Sequence, residues 1–183
     1  MASGKTTVGK TLAEILNWPR AGFGDYVRAQ LEQMGGDPSS RRDLQDLGQS
    51  LVDRDPDGFC RAVLQAVNFQ AGGNLILDGV RHVDIYMRVG RLVAPSNTKL
   101  IYIAAEDRLV RQRMKSRGQA DFELGQAESH RVEAEVRVSI SEIADLEVDG
   151  AAPLEQLLLA ILSTLTDAVE ASTLAKAREK LST

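Results

Sequence analysis

The chain has 183 residues, of which 43% are hydrophobic, so it is long enough to form one domain with a sizeable core. A net charge of -4 and a pI near 5.3 argue against a general nucleic-acid surface. Its apolar runs are far shorter than the roughly 20 residues of a membrane-spanning helix and no signal peptide precedes them, so we expect a cytoplasmic protein without a membrane partner.

The chain opens on a phosphate-binding motif, Ser3-Gly4-Lys5-Thr6-Thr7. Gly-Lys-Thr ends the Walker A pattern, in which backbone N–H groups and the lysine surround the phosphates of a nucleoside triphosphate. The Thr6 hydroxyl is a Mg²⁺ ligand in this pattern. We predict that these five residues bind the nucleotide at the start of a helix that runs to about Asn17. A helix N-cap without a ligand is the competing interpretation.

The motif lacks the first glycine of the pattern and the strand that leads into such a loop. That glycine would fall just before Met1, so we expect the natural protein to start upstream, with in-frame codons for about five apolar β-forming residues and a glycine. The absent strand would be the central strand of the sheet. The alternative is an inactive remnant, in which the two neighbouring strands have lost their partner.

Three helices are predicted next, separated by breaks that contain Gly and Pro. They span Asp25 to Met34, Ser40 to about Val52, and the residues around Phe59–Val67. Asp25 is either the N-cap of the first of them or a general base for a hydroxyl acceptor, and capping is the favoured interpretation. The single cysteine, Cys60, is expected to fill a helix face in a reducing cytosol and not to act as a nucleophile.

Short apolar runs that alternate with helices predict the fold class. The predicted strands are Asn74–Gly79, Lys99–Ala104 and Ala144–Val148, and the predicted helices run over about 83–93, 107–117, 130–143 and from Pro153 onward. Strands separated by helices indicate an α/β fold with a parallel sheet covered on both faces, which is the three-layer α/β/α sandwich.

Asp78 ends the first of these strands. Ligands of such sheets bind at the carboxyl ends of the strands, where a carboxylate beside a phosphate loop holds Mg²⁺ directly or through water. An Asp that only turns the chain at Asp-Gly is the alternative. Arg81 follows closely and is placed to hold an anionic group, unless it is a surface residue of the next helix.

Arginines crowd the helix predicted over about 107–117. A solvated basic face is the usual explanation of such a run. Phosphoryl transfer depends on charge stabilisation, however, and an arginine from a closing segment is worth ~10³ or more in rate. Because a lid-like stretch follows Arg113 and Arg117, we expect at least one of these two to serve the reaction, and we leave Arg108 and Arg111 to the surface.

Several short segments occur in the order typical of nucleoside monophosphate kinases. They are Gly4-Lys5-Thr6-Thr7, Gly24-Asp25-Tyr26-Val27-Arg28, Leu77-Asp78-Gly79-Val80-Arg81 and Arg113-Met114-Lys115-Ser116-Arg117. From Met1 to about Leu162 the chain resembles this family of P-loop kinases, and the adenylate-kinase-like group above all. The resemblance implies that Arg28 and Arg81 hold the acceptor phosphate, with Asp25 beside them, and that Asp78 binds magnesium.

The resemblance also implies how the single domain is divided. Acceptor-binding helices would cover about 24–70, a short lid about 113–130 and the C-terminal helix about 153–183. Arg113 would lie by the donor base and Arg117 would reach the transferring phosphoryl group. Gly150 belongs to a loop that resembles the one lining the donor adenine.

Departures from the family pattern concern the acceptor. Phe23 stands where adenylate kinases usually have a small hydroxyl residue, and no Gln follows Arg81 where one would read an AMP base. The Asp-Gly segment is also one residue shorter and lacks the usual Pro. These features argue against AMP. The segments Phe-Gly-Asp-Tyr-Val-Arg (23–28) and Asp-Gly-Val-Arg-His (78–82) resemble those of ATP-dependent kinases that are similar to dephospho-coenzyme A kinases.

The sequence therefore predicts a Mg²⁺-dependent kinase that transfers the γ-phosphoryl group of ATP to a small phosphorylated metabolite, with a nucleoside monophosphate as the first candidate. The catalytic residues would be Lys5, Arg113 and Arg117. Two alternatives stay open. One is a dephospho-coenzyme A kinase-like enzyme, and the other is a regulatory ATP- or GTP-binding module, which would not need a second anion site at Arg28 and Arg81.

Overall fold

The structure is a computed structural model, and it describes residues 4–106, 108, 112, 139–165, 169 and 171–181. Seven helices have both ends within these ranges: α1 (Lys5–Leu16), α2 (Phe23–Gln33), α3 (Arg41–Arg54), α4 (Pro56–Gln65), α5 (Val83–Leu92), α6 (Leu154–Thr164) and α7 (Ala171–Leu181). The strands are β1 (Arg20–Gly22), β2 (Ile76–Asp78), β3 (Ile101–Ala104) and β4 (Leu146–Asp149). None of these helices has both the length and the apolar character needed to cross a bilayer.

The strands form two parallel pairs. In β1 and β2, Gly22 is the register partner of Asp78, and in β3 and β4, Ala104 is the partner of Asp149. Within the described ranges no further strand joins the two pairs. Helices lie between successive strands along the chain, so the predicted α/β class is confirmed. Within each pair the two strands end together, and each pair has one aspartate at its carboxyl end, Asp78 on β2 and Asp149 on β4.

The helix boundaries follow from local signals that the sequence contains. Ser40 caps α3 by accepting a hydrogen bond from the Asp43 N–H at 3.3 Å, as the capping-box pattern predicted. Asp55 caps α4 in the same way. One C-terminal helix was expected over about 153–183. The structure has two: α6 ends at Thr164, and α7 begins at Ala171.

The core consists of two clusters of buried side chains. The first joins α1, α6, α7 and β4, and its most buried members are Leu158, Ile161, Leu162 and Ala177. The second joins α2, α4, α5 and β1, and it includes Phe23, Val27, Phe59, Cys60 and Val63. Strand β2 contributes Ile76 to the first cluster and Leu77 to the second, so successive side chains of this strand pack against opposite layers.

Cys60 should be unreactive in the folded protein. Its side chain on α4 is fully buried, and burial raises the pKa of the thiol to about 11, because a thiolate would be poorly solvated there. At pH 8 only about one molecule in a thousand carries the thiolate. We expect Ellman's reagent to label the native protein more than ~100-fold more slowly than the protein in guanidinium. Rapid stoichiometric labelling of the native protein at pH 8 would contradict this placement.

Candidate nucleotide-binding site

The first turn of α1 presents an anion-binding helix end. Gly4 is the N-cap and has φ 94, a left-handed conformation that glycine adopts without a steric penalty. Lys5 is the first helical residue and is half-buried, while Thr6 and Thr7 are exposed. The first turn contains no acidic residue, so the positive end of the helix dipole is not neutralised there. Ser3, which was also predicted to bind the nucleotide, lies outside the described residues.

Asp78 lies beside α1. The helix and Asp78 approach each other at Gly9, where a Cβ added to the glycine would lie 3.9 Å from Asp78 Cβ. The Asp78 side chain is only 10% exposed, and Asp78 is the last residue of β2, whose three residues are all half-buried. The phosphate-binding helix and the predicted magnesium carboxylate are therefore neighbours, although Lys5 and Asp78 are 73 residues apart in the sequence.

Arg20 contacts two carboxylates of the site. Its Nη1 donates a hydrogen bond to Asp78 Oδ2 at 3.2 Å, and its Nη2 donates to Asp25 Oδ2. Arg20 was not predicted, because it lies in the Gly- and Pro-containing break that follows the first helix. The missing information was strand β1, whose parallel pairing with β2 sets Arg20 opposite Ile76, two residues before Asp78 and within reach of the long arginine side chain.

Asp25 is not the N-cap of its helix, so that prediction was wrong. The helix begins two residues earlier, at Phe23, and Gly22 is the cap residue. Asp25 therefore lies within the first turn, where a carboxylate interacts favourably with the helix dipole. Its second oxygen, Oδ1, is 3.7 Å from Nη1 of Arg28, and both side chains are about half exposed.

The loop after β2 packs against the start of α2. Gly79 has φ +89, and a Cβ there would lie 3.7 Å from the backbone nitrogen of Gly24. Arg81 is exposed in the same loop, and His82 is the N-cap of α5. Gly79 and Gly24 thus bring the segments that carry Arg81 and Arg28 to one edge of the molecule.

The remaining predicted site residues are Gly150, Arg113 and Arg117. Gly150 is buried directly after β4, and its N–H donates to the carbonyl of Ala104 at the end of β3. The next turn is closed by Asp149 Oδ1, which accepts from the Ala151 N–H at 2.8 Å. Arg113, Arg117 and the predicted lid over 113–130 lie outside the described residues.

The donor set at this edge fits magnesium. In the described part of the chain no three His, Cys, Asp or Glu side chains cluster at metal-binding distance. A protein cage for a metal is therefore not available there. Mg²⁺ does not need one, because it keeps several waters and is bound through one or two carboxylates together with the substrate phosphates. Asp78 would supply such a carboxylate, and the Thr6 hydroxyl would supply one further oxygen ligand.

Comparison with known proteins agrees with this placement of the motif. The family model of the AAA domain matches residues 1–136, which include α1, β2 and the loop that carries Arg81. No curated protein and no solved structure matches the chain. The family is P-loop NTPase-like and typical of kinase-like proteins, which indicates nucleotide binding, generally with Mg²⁺. The chain belongs to the AAA domain family and carries a P-loop NTPase-like domain.

Proposed function

We propose that the protein is a Mg²⁺-dependent kinase that transfers the γ-phosphoryl group of ATP to a small phosphorylated metabolite, with a nucleoside monophosphate as the first candidate. One observation carries the proposal: the anion-binding end of α1, the Asp78 carboxylate and the two arginine-bearing segments meet at one edge of the parallel strands. A domain that only binds a nucleotide needs the end of α1 and the Asp78 carboxylate, but not the two arginine-bearing segments. The arginines supply positive charge for a second anion.

On the donor side, Lys5 and the N–H groups of the first turn of α1 would hold the β- and γ-phosphates. Thr6 and Asp78 would hold Mg²⁺, which neutralises phosphate charge when bound. An oxygen of the acceptor phosphate attacks the γ-phosphorus, and the bond from that phosphorus to the β–γ bridging oxygen breaks. ADP leaves with the bridging oxygen and its electron pair.

On the acceptor side, Arg28 and Arg81 would bind the phosphate that receives the phosphoryl group. Two guanidinium groups from different segments can each donate two parallel hydrogen bonds to one dianion. Arg113 and Arg117 would stabilise the charge of the transferring group. The whole domain would then be a P-loop α/β/α sandwich.

The acceptor class is tested by a coupled ADP-release screen. The panel consists of nucleoside monophosphates, deoxynucleotides, dephospho-coenzyme A and unphosphorylated nucleosides, each offered with ATP and with GTP. We expect a phosphorylated acceptor to accelerate ADP release and the matching nucleosides to have little effect. If the protein binds ATP but no member of the panel accelerates ADP release, the chain is a nucleotide-binding module and not a kinase.

Replacement of Arg28 or Arg81 by Ala should impair the acceptor side alone. We expect kcat/KM for the acceptor to fall roughly 10²-fold, the size associated with a lost charged hydrogen-bonding pair. The affinity for ATP should stay close to that of the wild type. Arg28→Lys should recover little, because an ammonium group lacks the planar geometry of guanidinium.

The matched control for these variants is Arg42→Ala. Arg42 is 90% exposed on α3 and lies 3.7 Å from Asp46, away from the strand ends. Its loss should leave the acceptor kinetics unchanged. Wild-type acceptor kinetics in both Arg28→Ala and Arg81→Ala would contradict the proposed acceptor site.

A further inference from the structure

Arg20 connects the metal side of the candidate site with its acceptor side. We propose that Arg20 is a positioning residue, which fixes the carboxylates of Asp78 and Asp25 in one arrangement. Metal binding and acceptor binding then both depend on this one side chain. This inference rests on the proposed function, from which the metal role of Asp78 and the acceptor role of Arg28 are taken. It concerns a residue that neither the phosphate motif nor the resemblance to kinases singles out.

The contacts of Arg20 use both ends of its guanidinium group. Nη1 donates to Asp78 at the end of β2, and Nη2 donates to Asp25 in the first turn of α2. The side chains of Arg20 and Asp78 are only 16% and 10% exposed, so water and salt screen their attraction less than that of a surface pair. The planar guanidinium therefore holds the two carboxylates at a fixed spacing.

Two glycines lie against the Arg20 side chain, but only at Gly22 would an added Cβ be closer than an ordinary van der Waals contact. A Cβ on Gly9 of α1 would lie 3.8 Å from Arg20 Cδ, and a Cβ on Gly22 would lie 3.3 Å from Arg20 Nη1 and 2.7 Å from Asp25 Oδ2. Gly22 has φ -135 and ψ 128, a conformation open to any residue. The backbone does not require glycine at this position, and an added methyl group would crowd the pair between Arg20 and Asp25.

The pairing assigns one oxygen of each carboxylate to Arg20. In the described part of the chain, Arg20 engages Oδ2 of Asp78, which leaves Oδ1 for Mg²⁺ or one of its waters. Arg20 likewise engages Oδ2 of Asp25, whose Oδ1 faces Arg28 at 3.7 Å. A continuous series of charged contacts thus leads from the metal carboxylate to an arginine of the proposed acceptor site.

The test compares Arg20→Met, Arg20→Lys and Gly22→Ala with the wild type and with the surface control Arg42→Met. Equilibrium binding of a fluorescent ATP analogue is measured with Mg²⁺ and with EDTA, and the acceptor KM and kcat are measured separately. Arg20→Met should lower the Mg²⁺-dependent gain in nucleotide affinity by roughly 10-fold or more, as expected for the partner of a metal ligand. Binding in EDTA should be unchanged, and Arg20→Lys should recover little of the loss.

Gly22→Ala separates the two halves of the proposal. The added methyl group displaces the Asp25 carboxylate, so the acceptor KM should rise while most of the Mg²⁺-dependent gain in nucleotide affinity remains. Alanine suits the Gly22 backbone, so if Arg20→Met fails to fold, this variant tests the acceptor half of the proposal and Arg20→Lys tests the metal half.

Two contrary outcomes are distinguishable. In the first, Mg²⁺ raises the nucleotide affinity of the wild type, and Arg20→Met keeps both this gain in affinity and the acceptor KM but melts at a lower temperature. Arg20 is then merely structural, and this inference is overturned. If the wild type itself shows no Mg²⁺-dependent nucleotide binding, the proposed function fails, and the inference falls with it.

Discussion

Lys5→Ala should abolish phosphoryl transfer in a protein that remains folded. Lys5 is the first residue of α1, half-buried beside the end of the helix where the phosphates are proposed to bind. In the proposed mechanism its ammonium group would compensate charge that grows on the β–γ bridging oxygen during transfer, which the backbone N–H groups alone could not do. We expect kcat/KM to fall by at least about 10³-fold. The measurement is the coupled ADP-release assay with the best acceptor from the screen.

The control for this prediction lies on the same helix. Lys10 is exposed on α1, so Lys10→Ala removes the same charge from the same element without touching the first turn. The circular dichroism spectra and thermal unfolding curves of both variants should match each other, which shows that the two variants keep the same fold. Near-wild-type turnover by a properly folded Lys5→Ala protein would contradict the proposed donor site and with it the kinase mechanism.

The parts of the fold that the sequence predicts well are those with strong local signals. The end of α1 at Leu16, the capping of α3 by Ser40 and the position of β2 follow from apolar periodicity and capping residues. The adjacency of Asp78 to α1 also follows from general rules, because ligand sites of parallel sheets gather at the carboxyl ends of strands.

Strand β1 is the element that the sequence does not reveal. Its three residues, Arg-Ala-Gly, show neither alternation nor an apolar run, and the strand exists because it pairs with β2. Propensity is weak evidence for strands, since their stability comes from cross-strand and tertiary contacts. Arg20 was missed for the same reason. The N-cap assigned to Asp25 was wrong because α2 starts earlier, on Phe23, which packs edge-to-face against Phe59.

The stability of the site depends on the core beneath α1. Helix α6 packs against α1 and β4, and Leu162 of α6 is completely buried in the cluster that also holds Val8 and Leu12 of α1. The helix that presents Lys5 and Thr6 is therefore held in place by apolar contacts far from the phosphates. A cavity in this cluster should weaken the whole unit, because the cluster also includes α7.

Leu162→Ala should lower the free energy of unfolding by about 2–5 kcal/mol, because it removes buried methyl groups and leaves a cavity that the surrounding helices fill only in part. Leu154→Ala is the matched control on the same helix. That side chain is 38% exposed, so its loss should change stability by less than about 1 kcal/mol. Urea unfolding of the two variants measures both values. Mg²⁺ with ATP should raise the midpoint of Leu162→Ala, because a ligand that binds only the folded state stabilises it. Equal stability of the two variants would show that α6 does not pack against α1 as described.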